Sequence, residues 1–306
     1  MAHYIFVKMR STQQPNDMLE RLRELCRDLT PKSIADVCEN TAAEWPAERG
    51  TYYAIQNCRG LSGPESGMLT IGWTMGLEGE TSGRDRGSHP DGSYAVIEAN
   101  GGQIRFFSDQ FGSRTLWFHM NSEMLLISTS QRAIVQLKGC FCPKPAAIAW
   151  FLSSGCQGPF ISWDEQIQQV RPEFNYILEC ETWSMLRSSK TGMNLPASGS
   201  GDLRSYTLNF ERHVSQAIGS IIRRHGVGEV LLPLSGGLDS RLLLALAHRD
   251  GSGDAVSLVN WGIVPEKMAF TDKAAAKRWQ NFMANPYWIS TFPYNRKTSM
   301  KCSTFL

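Results

Sequence analysis

The sequence predicts an α+β domain followed by an α/β domain built on a parallel sheet. Short segments rich in β-branched and aromatic residues crowd the first half of the chain, separated by turn residues. A stretch dense in Gly, Ser and Pro, "KTGMNLPASGSGD" at 190–202, divides them from the rest of the chain. Beyond it, apolar strands alternate with helix-period segments, the pattern of parallel βαβ units covered on both faces. The 306 residues suit two domains at roughly 150 residues each. The predicted division is 1–190 for the first domain, 191–205 for a linker and 206–306 for the second.

In the first domain, strands are predicted at 4–9, 51–56, 68–73, 93–98, 103–108 and 125–129. Asn100-Gly101-Gly102 reads as a hairpin turn between two of them. Residues 16–29 read as an amphipathic helix with Met18, Leu19, Leu22 and Leu25 on one face, and 145–152 as a second helix. In the second domain the expected order is helix 208–224, strand 229–234, helix 240–248, strand 255–261, helix 270–283 and strand 287–291.

Composition narrows the classes. A formal net charge of +2 gives no electrostatic reason to expect nucleic acid or a membrane surface as partner. The apolar run Tyr4–Val7 is far too short for a signal peptide, and nothing approaches the length of a transmembrane helix, so the expected location is the cytoplasm. The 8 cysteines are scattered and expected to be reduced. Cys140 and Cys142 read as two buried thiols, because no second Cys or His pair stands nearby to complete a zinc site. The histidines show no metal spacing.

The chemistry concentrates in "VLLPLSGGLDSRLLLALAH" at 230–248. A strand that ends in paired glycines before a helix gathers backbone N–H groups around a small concavity, and the helix N-terminus adds orphan donors and a positive dipole end. That is an anion site suited to phosphate. Gly236 and Gly237 admit close approach and left-handed backbone, and Ser235 and Ser240 add hydroxyls. Asp239 beside a phosphate calls for a bridging cation, for which Mg2+ is suited. A nucleotide P-loop of the GxxxxGK[ST] type is excluded, since no Lys follows the glycines. A plain turn with Asp239 as N-cap would explain an isolated Gly-Gly. The six consecutive positions Ser235, Gly236, Gly237, Leu238, Asp239 and Ser240 favour the anion site.

"SGGLDS" after an apolar strand resembles the pyrophosphate loop of the ATP-pyrophosphatase superfamily. "DGSYAVIEANGGQIRFFSDQFGSRTLWFH" at 91–119 resembles the hairpin and Arg/Asp-rich segment of the glutaminase-like domain in class II asparagine synthetases. "LISTSQRAIV" at 126–135 is similar to the strand that comes next there, and "VRPEFNYILE" at 170–179 to the exit from that domain. The order of parts agrees over about the last two thirds of the chain.

The resemblance implies an Ntn-hydrolase-like αββα sandwich followed by a pyrophosphate-loop domain. It implies ATP held by Ser235, Gly236, Gly237, Leu238, Asp239 and Ser240, Mg2+ bound by Asp239, and adenine flanked by Leu234 and the strand near Val259. The implied reaction is AMP-forming: a carboxylate is adenylated and joined to an amine. The family's glutaminase nucleophile is a Cys at the mature N-terminus, where this chain has Ala2, and "TIGWTMGLEG" at 70–79 lacks the family's Asn-Gly pair. The expectation is therefore a synthetase without glutamine hydrolysis, nearest the lasso-peptide cyclase and β-lactam synthetase branch and acting on a small-molecule or peptide carboxylate. A non-catalytic nucleotide- or peptide-binding relative and a glutamine-hydrolysing asparagine synthase are the alternatives. The family's second domain continues beyond the point matching Leu306, and the tail "TFPYNRKTSMKCSTFL" loses periodicity, so the second domain is expected to be incomplete. A homo-oligomer or complementing chain is the expected partner.

Overall fold

The computed structural model describes residues 3–11, 17–46, 48–59, 61, 63–75, 91–190, 202–225, 230–235, 237–251, 253–262 and 290–293. The chain divides into two compact units, Met1–Asn194 and Leu195–Leu306.

The first unit pairs two antiparallel sheets. One runs in the order β2 (Asn40–Glu44), β3 (Thr51–Gln56), β1 (His3–Met9), β8 (Met124–Ser128), β7 (Trp117–Met120) and β9 (Gln168–Gln169). The other runs β11 (Ser184–Ser189), β10 (Phe174–Glu179), β6 (Gln103–Ser108), β5 (Asp91–Asn100) and β4 (Met68–Met75). Strand alternation sorts the side chains of β1. Tyr4 and Phe6 enter a core shared with Ile97 and Phe106 of the second sheet, while Ile5, Val7 and Met9 turn to the opposite face. There they meet Met18, Leu22, Leu25 and Cys26 of α1 (Met18–Leu29) and Ala133, Ile134 and Leu137 of α2 (Gln131–Lys138). Aromatic rings bind the inter-sheet core: Phe106 stacks on Tyr176 with centroids 5.2 Å apart.

The described residues show both sheets of the expected sandwich and one helical layer. α1 and α2 both cover the first sheet. The far face of the second carries a small cluster of Tyr94, Val96 and Phe107. α3 (Pro145–Ser154) has Ile148, Trp150, Phe151 and Leu152 exposed. Residues 126–135 are not a single strand. β8 stops at Ser128, and the Ser130 hydroxyl accepts the Ala133 N–H at 3.3 Å, capping α2. The predicted turn at Asn100-Gly101-Gly102 joins β5 to β6, with φ of 60° and 80° at the two glycines.

A buried ion pair ties α2 to the loop before β9. Lys138 Nζ lies 3.0 Å from Asp164, whose Oδ2 also accepts the Cys142 N–H at 2.9 Å, and both charged side chains are buried. Removing one partner strands the other charge, so Lys138→Met is expected to destabilise the unit by about 3 kcal/mol. A urea midpoint unchanged from wild type would refute this.

In the second unit, α4 (Leu203–His225) precedes a three-stranded parallel sheet in the order β12 (Val230–Pro233), β13 (Val256–Gly262) and β14 (Ser290–Pro293). α5 (Leu238–Arg249) links the first two strands. Ile222 of α4, Leu244 and Ala247 of α5, and Leu234, Val256 and Leu258 form the core. The predicted helix at 270–283 lies outside the described residues, and β14 covers the last two positions of the strand predicted at 287–291. Among the described residues no helix is long and apolar enough to cross a membrane.

Candidate functional site

The strand–helix turn at 234–240 sits at the carboxyl end of the parallel strands, where open α/β sheets hold their ligands. Pro233 faces Val259 in the β12–β13 register, and the Leu234 N–H donates to the Val259 carbonyl at 2.9 Å. Leu234 is buried. Two positions that sequence reasoning assigned to the adenine are thus joined by one backbone hydrogen bond. Gly236 and Ala2, both named from the sequence, lie outside the described residues.

Hydroxyls organise the turn. Ser240 Oγ accepts the Ser235 N–H at 3.1 Å and lies 3.1 Å from Ser235 Oγ, which accepts the Gly237 N–H at 3.1 Å. Gly237 is the helix N-cap, and the N–H groups of the first helical turn have no carbonyl partner within the helix. Leu238 and Asp239 are exposed at this end. Arg241 Nε reaches back to donate to the Gly237 carbonyl at 3.0 Å, so its side chain braces the turn.

One sequence expectation changes here, and the plain-turn alternative loses its cap. Gly237 has φ −74° and ψ 162°, an extended conformation open to any residue, so left-handed backbone is not what it supplies. Its lack of a side chain is what matters: a Cβ would stand 3.2 Å from Ser235 Oγ. Asp239 lies in the first turn of α5, two residues past the N-cap, so it is not the cap itself. In that position its carboxylate is free to face a cation or the helix dipole.

The donor set can be weighed against the needs of Mg2+. Among the described residues no group of three or more His, Cys, Asp or Glu is placed to hold a metal ion. Mg2+ with a nucleotide needs only one or two carboxylates beside phosphate oxygens and water, and Asp239 with the Ser235 and Ser240 hydroxyls meets that requirement.

The first unit holds a second constellation that sequence reasoning passed over. Asp109, buried directly after β6, accepts N–H bonds from Tyr94 (3.2 Å), Phe111 (2.9 Å), Ser113 (3.2 Å) and Arg114 (3.4 Å) and the Ser113 hydroxyl at 2.6 Å. Burial by itself would raise its pKa, but these donors outweigh it and hold the carboxyl below its ordinary value. The signal legible in the sequence is the short polar run "SDQFGSR" after an apolar strand.

Lys190 is buried nearby. Its ammonium donates to the Ser108 carbonyl and lies 5.4 Å from the Phe107 ring centroid. Burial pushes its pKa down to about 8, against the pull of Asp109. Between that value and the ordinary 10.5, the unfolded chain binds more protons than the folded one. This group's contribution to stability therefore rises with pH across that window. Lys190→Met is expected to flatten that rise in urea-denaturation series taken at stepped pH; an equally steep rise in the variant would contradict the assignment.

Cys140 and Cys142 are not two buried thiols: Cys140 is exposed, and Cys142 is half-buried with its sulfur 3.8 Å from Lys138 Nζ. A cavity of about 430 Å3 on the second unit lies between α4 and the C-terminal end of α5, lined by Arg212, Gln216, Arg223 and Arg249 among others, away from the 234–240 turn.

No protein-family model matches the chain, and no curated protein matches it. Among solved structures, the chain is similar to a glutamine-dependent NAD+ synthetase from Acinetobacter baumannii in complex with ADP, at 20% identity over 45% of this chain, with a TM-score of 0.24. It is also similar to the glutamine phosphoribosylpyrophosphate amidotransferase from B. subtilis complexed with ADP and GMP, at 12% identity over 94% of this chain, with a TM-score of 0.32. The matches span 22% and 65% of those two chains.

Proposed function

We propose that the 234–240 turn binds the phosphates of ATP, and that the chain is an ATP-dependent, AMP-forming ligase that adenylates a carboxylate and joins it to an amine without hydrolysing glutamine. One observation carries this reading: a strand–helix turn of small residues stands at the carboxyl end of two parallel strands, fastened to the second by the Leu234-to-Val259 hydrogen bond. In this reading the first-turn N–H groups of α5 receive phosphate oxygens. The Ser235 and Ser240 hydroxyls, now hydrogen-bonded within the turn, rotate to donate to phosphate. Asp239 holds Mg2+, which when bound offsets phosphate charge. Leu234 and Val259 border the base. In this reading the amine comes from the substrate itself. A small-molecule or peptide carboxylate is the proposed substrate, and a lasso-peptide-cyclase-like tailoring role is its narrower form.

A second reading is a non-catalytic nucleotide- or peptide-binding protein. It is favoured by the occupied amides, since the N–H groups of Ser235 and Gly237 already have hydroxyl partners in the turn. The exposed Leu203, Tyr206, Leu208 and Phe210 of α4 support a partner chain or second copy in either reading. Exchange of labelled pyrophosphate into ATP in the presence of candidate carboxylates separates the two. Exchange with any carboxylate supports the ligase. Saturable ATP binding with no exchange across the panel leaves the nucleotide-binding protein, and absence of ATP binding sinks the ligase and the nucleotide-binding form alike.

A further inference from the structure

A three-way tether joins the two walls of the cavity between α4 and the C-terminal end of α5. Arg249 Nη1 donates to Glu211 at 3.0 Å, Nη2 to Ser215 Oγ at 3.1 Å and Nε to Asp250 at 3.3 Å. Among the described residues, both carboxylates that line the cavity are thus spent on one guanidinium. Leu208, Arg212, Gln216, Gly219 and Arg223 recur at helical spacing, so one face of α4 forms a continuous wall.

Arg212 and Arg223 carry the charge that remains. Arg212 Nη2 donates to Asn209 Oδ1 at 3.0 Å, and Arg223 Nη2 to Ser220 Oγ at 3.2 Å. Both partners are neutral, and among the described residues neither guanidinium has a carboxylate partner. Both side chains are exposed and keep further N–H groups for a ligand. Each reaches back to the residue three positions earlier, so the two guanidinium groups keep the spacing of their helix positions, about 16 Å along the axis. Gly219 lies between them. A glycine inside a helix weakens it relative to alanine. Here it makes room: a Cβ would stand 3.1 Å from Arg223 Nη1, so its absence lets that guanidinium lie along the groove.

We propose that this groove binds an extended acidic peptide segment, with one carboxylate on Arg212 and another on Arg223. A guanidinium fork pairs with a carboxylate through two parallel N–H···O bonds. An extended chain rises about 3.3 Å per residue, so acidic side chains roughly four to six residues apart match the two cations. Gln216, exposed between them, offers an amide donor and acceptor to the peptide backbone. Leu208 adds an apolar contact in the same wall. Glu211 and Asp250 disfavour a denser polyanion, since a nucleic acid or polyphosphate chain would lay phosphates along them. The net charge of +2 adds no general attraction for such a chain. The groove lies away from the 234–240 turn, so peptide binding here is independent of nucleotide binding there.

The test uses the full chain and fluorescently labelled Gly/Ser peptides that carry two glutamates at stepped separations, with anisotropy read at low salt. The expected result is saturable binding, tightest at a separation of roughly four to six residues. The same peptide with glutamines should bind at least about tenfold more weakly. Arg212→Gln and Arg223→Gln should each lower affinity about tenfold. Gly219→Leu should do the same with every arginine kept, because its side chain fills the space where the Arg223 guanidinium lies. Leucine favours the helix over glycine, and circular dichroism reports that α4 stays formed. No saturable binding by any peptide of the series, affinity independent of glutamate separation, or affinity unchanged in both arginine variants would overturn the proposal. So would inorganic polyphosphate or a single-stranded oligonucleotide that displaces the best peptide and binds more tightly than it does. The dependence on separation is measured on the wild type, so it stands whatever the folding of the variants.

Discussion

Asp109→Ala is expected to lower the stability of the first unit by about 3–5 kcal/mol, a large part of what a domain has in total. The carboxylate is 2% exposed and gathers donors from β5 and from the turn after β6. Alanine leaves those donors facing a cavity, and each unmet buried donor is expensive. Asp109→Asn is no remedy. Three donors, the Tyr94 and Arg114 N–H groups and the Ser113 hydroxyl, meet at Oδ2. An asparagine side chain would place either its NH2 against them or its oxygen there at the cost of the bonds to Oδ1. The pH dependence has a fixed sign. The folded carboxyl lies below its ordinary value of 3.8, so its stabilisation is complete above that value and is lost as pH falls through the folded value. Wild type should therefore weaken with acid more steeply than Asp109→Ala. Urea midpoints followed by tryptophan fluorescence at stepped pH measure both effects, and parallel acid limbs would remove Asp109 from the account.

Asp239→Ala carries the largest expected functional effect. If the carboxylate holds Mg2+ against the nucleotide, its removal should weaken Mg-dependent ATP binding by about 10–100-fold, the worth of one interaction with a charged group. Binding measured in chelator should hardly change. Stability should stay within about 0.5 kcal/mol, because the side chain is exposed and lies past the N-cap, Gly237. This combination separates a ligand role from a structural one. Gly237→Val is the steric counterpart: its Cβ would press on Ser235 Oγ and its branches would fill the approach to the first-turn N–H groups. Calorimetry with and without Mg2+ provides the measurement. Equal MgATP affinities for wild type and Asp239→Ala would mean that the metal is held elsewhere or not at all.

Much of the fold was legible where side-chain alternation or helical period was strong. Residues 51–56 and 103–108, predicted as strands, are β3 and β6 to the residue. β2, "NTAAE", escaped because Thr is its only β-branched residue; it is a strand because β3 offers it an edge to pair with. β11, "SMLRSS", is a second edge strand defined by its neighbour. Local propensity is weak at such edges and tertiary pairing decides. At the candidate site, the residue types around 234–240 announced an anion loop, but the hydroxyl contacts that already engage the Ser235 and Gly237 amides depend on how the turn closes. At Asp109 the polar run "SDQFGSR" was visible but its role was not, for a related reason: the donors that define it belong to residues 94, 111, 113 and 114, which the β5–β6 pairing and the adjoining turn bring to one carboxylate.

The order of residues alone determined that a β-rich first part is followed by alternating strands and helices, and that paired glycines with Asp239 begin one of those helices, because periodicity and turn chemistry act over a few neighbouring positions. Only the folded chain decided that Leu234 is tied to Val259, that β2 pairs with β3, and that two helices cover one sheet. Those contacts join distant segments, and their energy comes from strand register and shared burial, which no local stretch encodes.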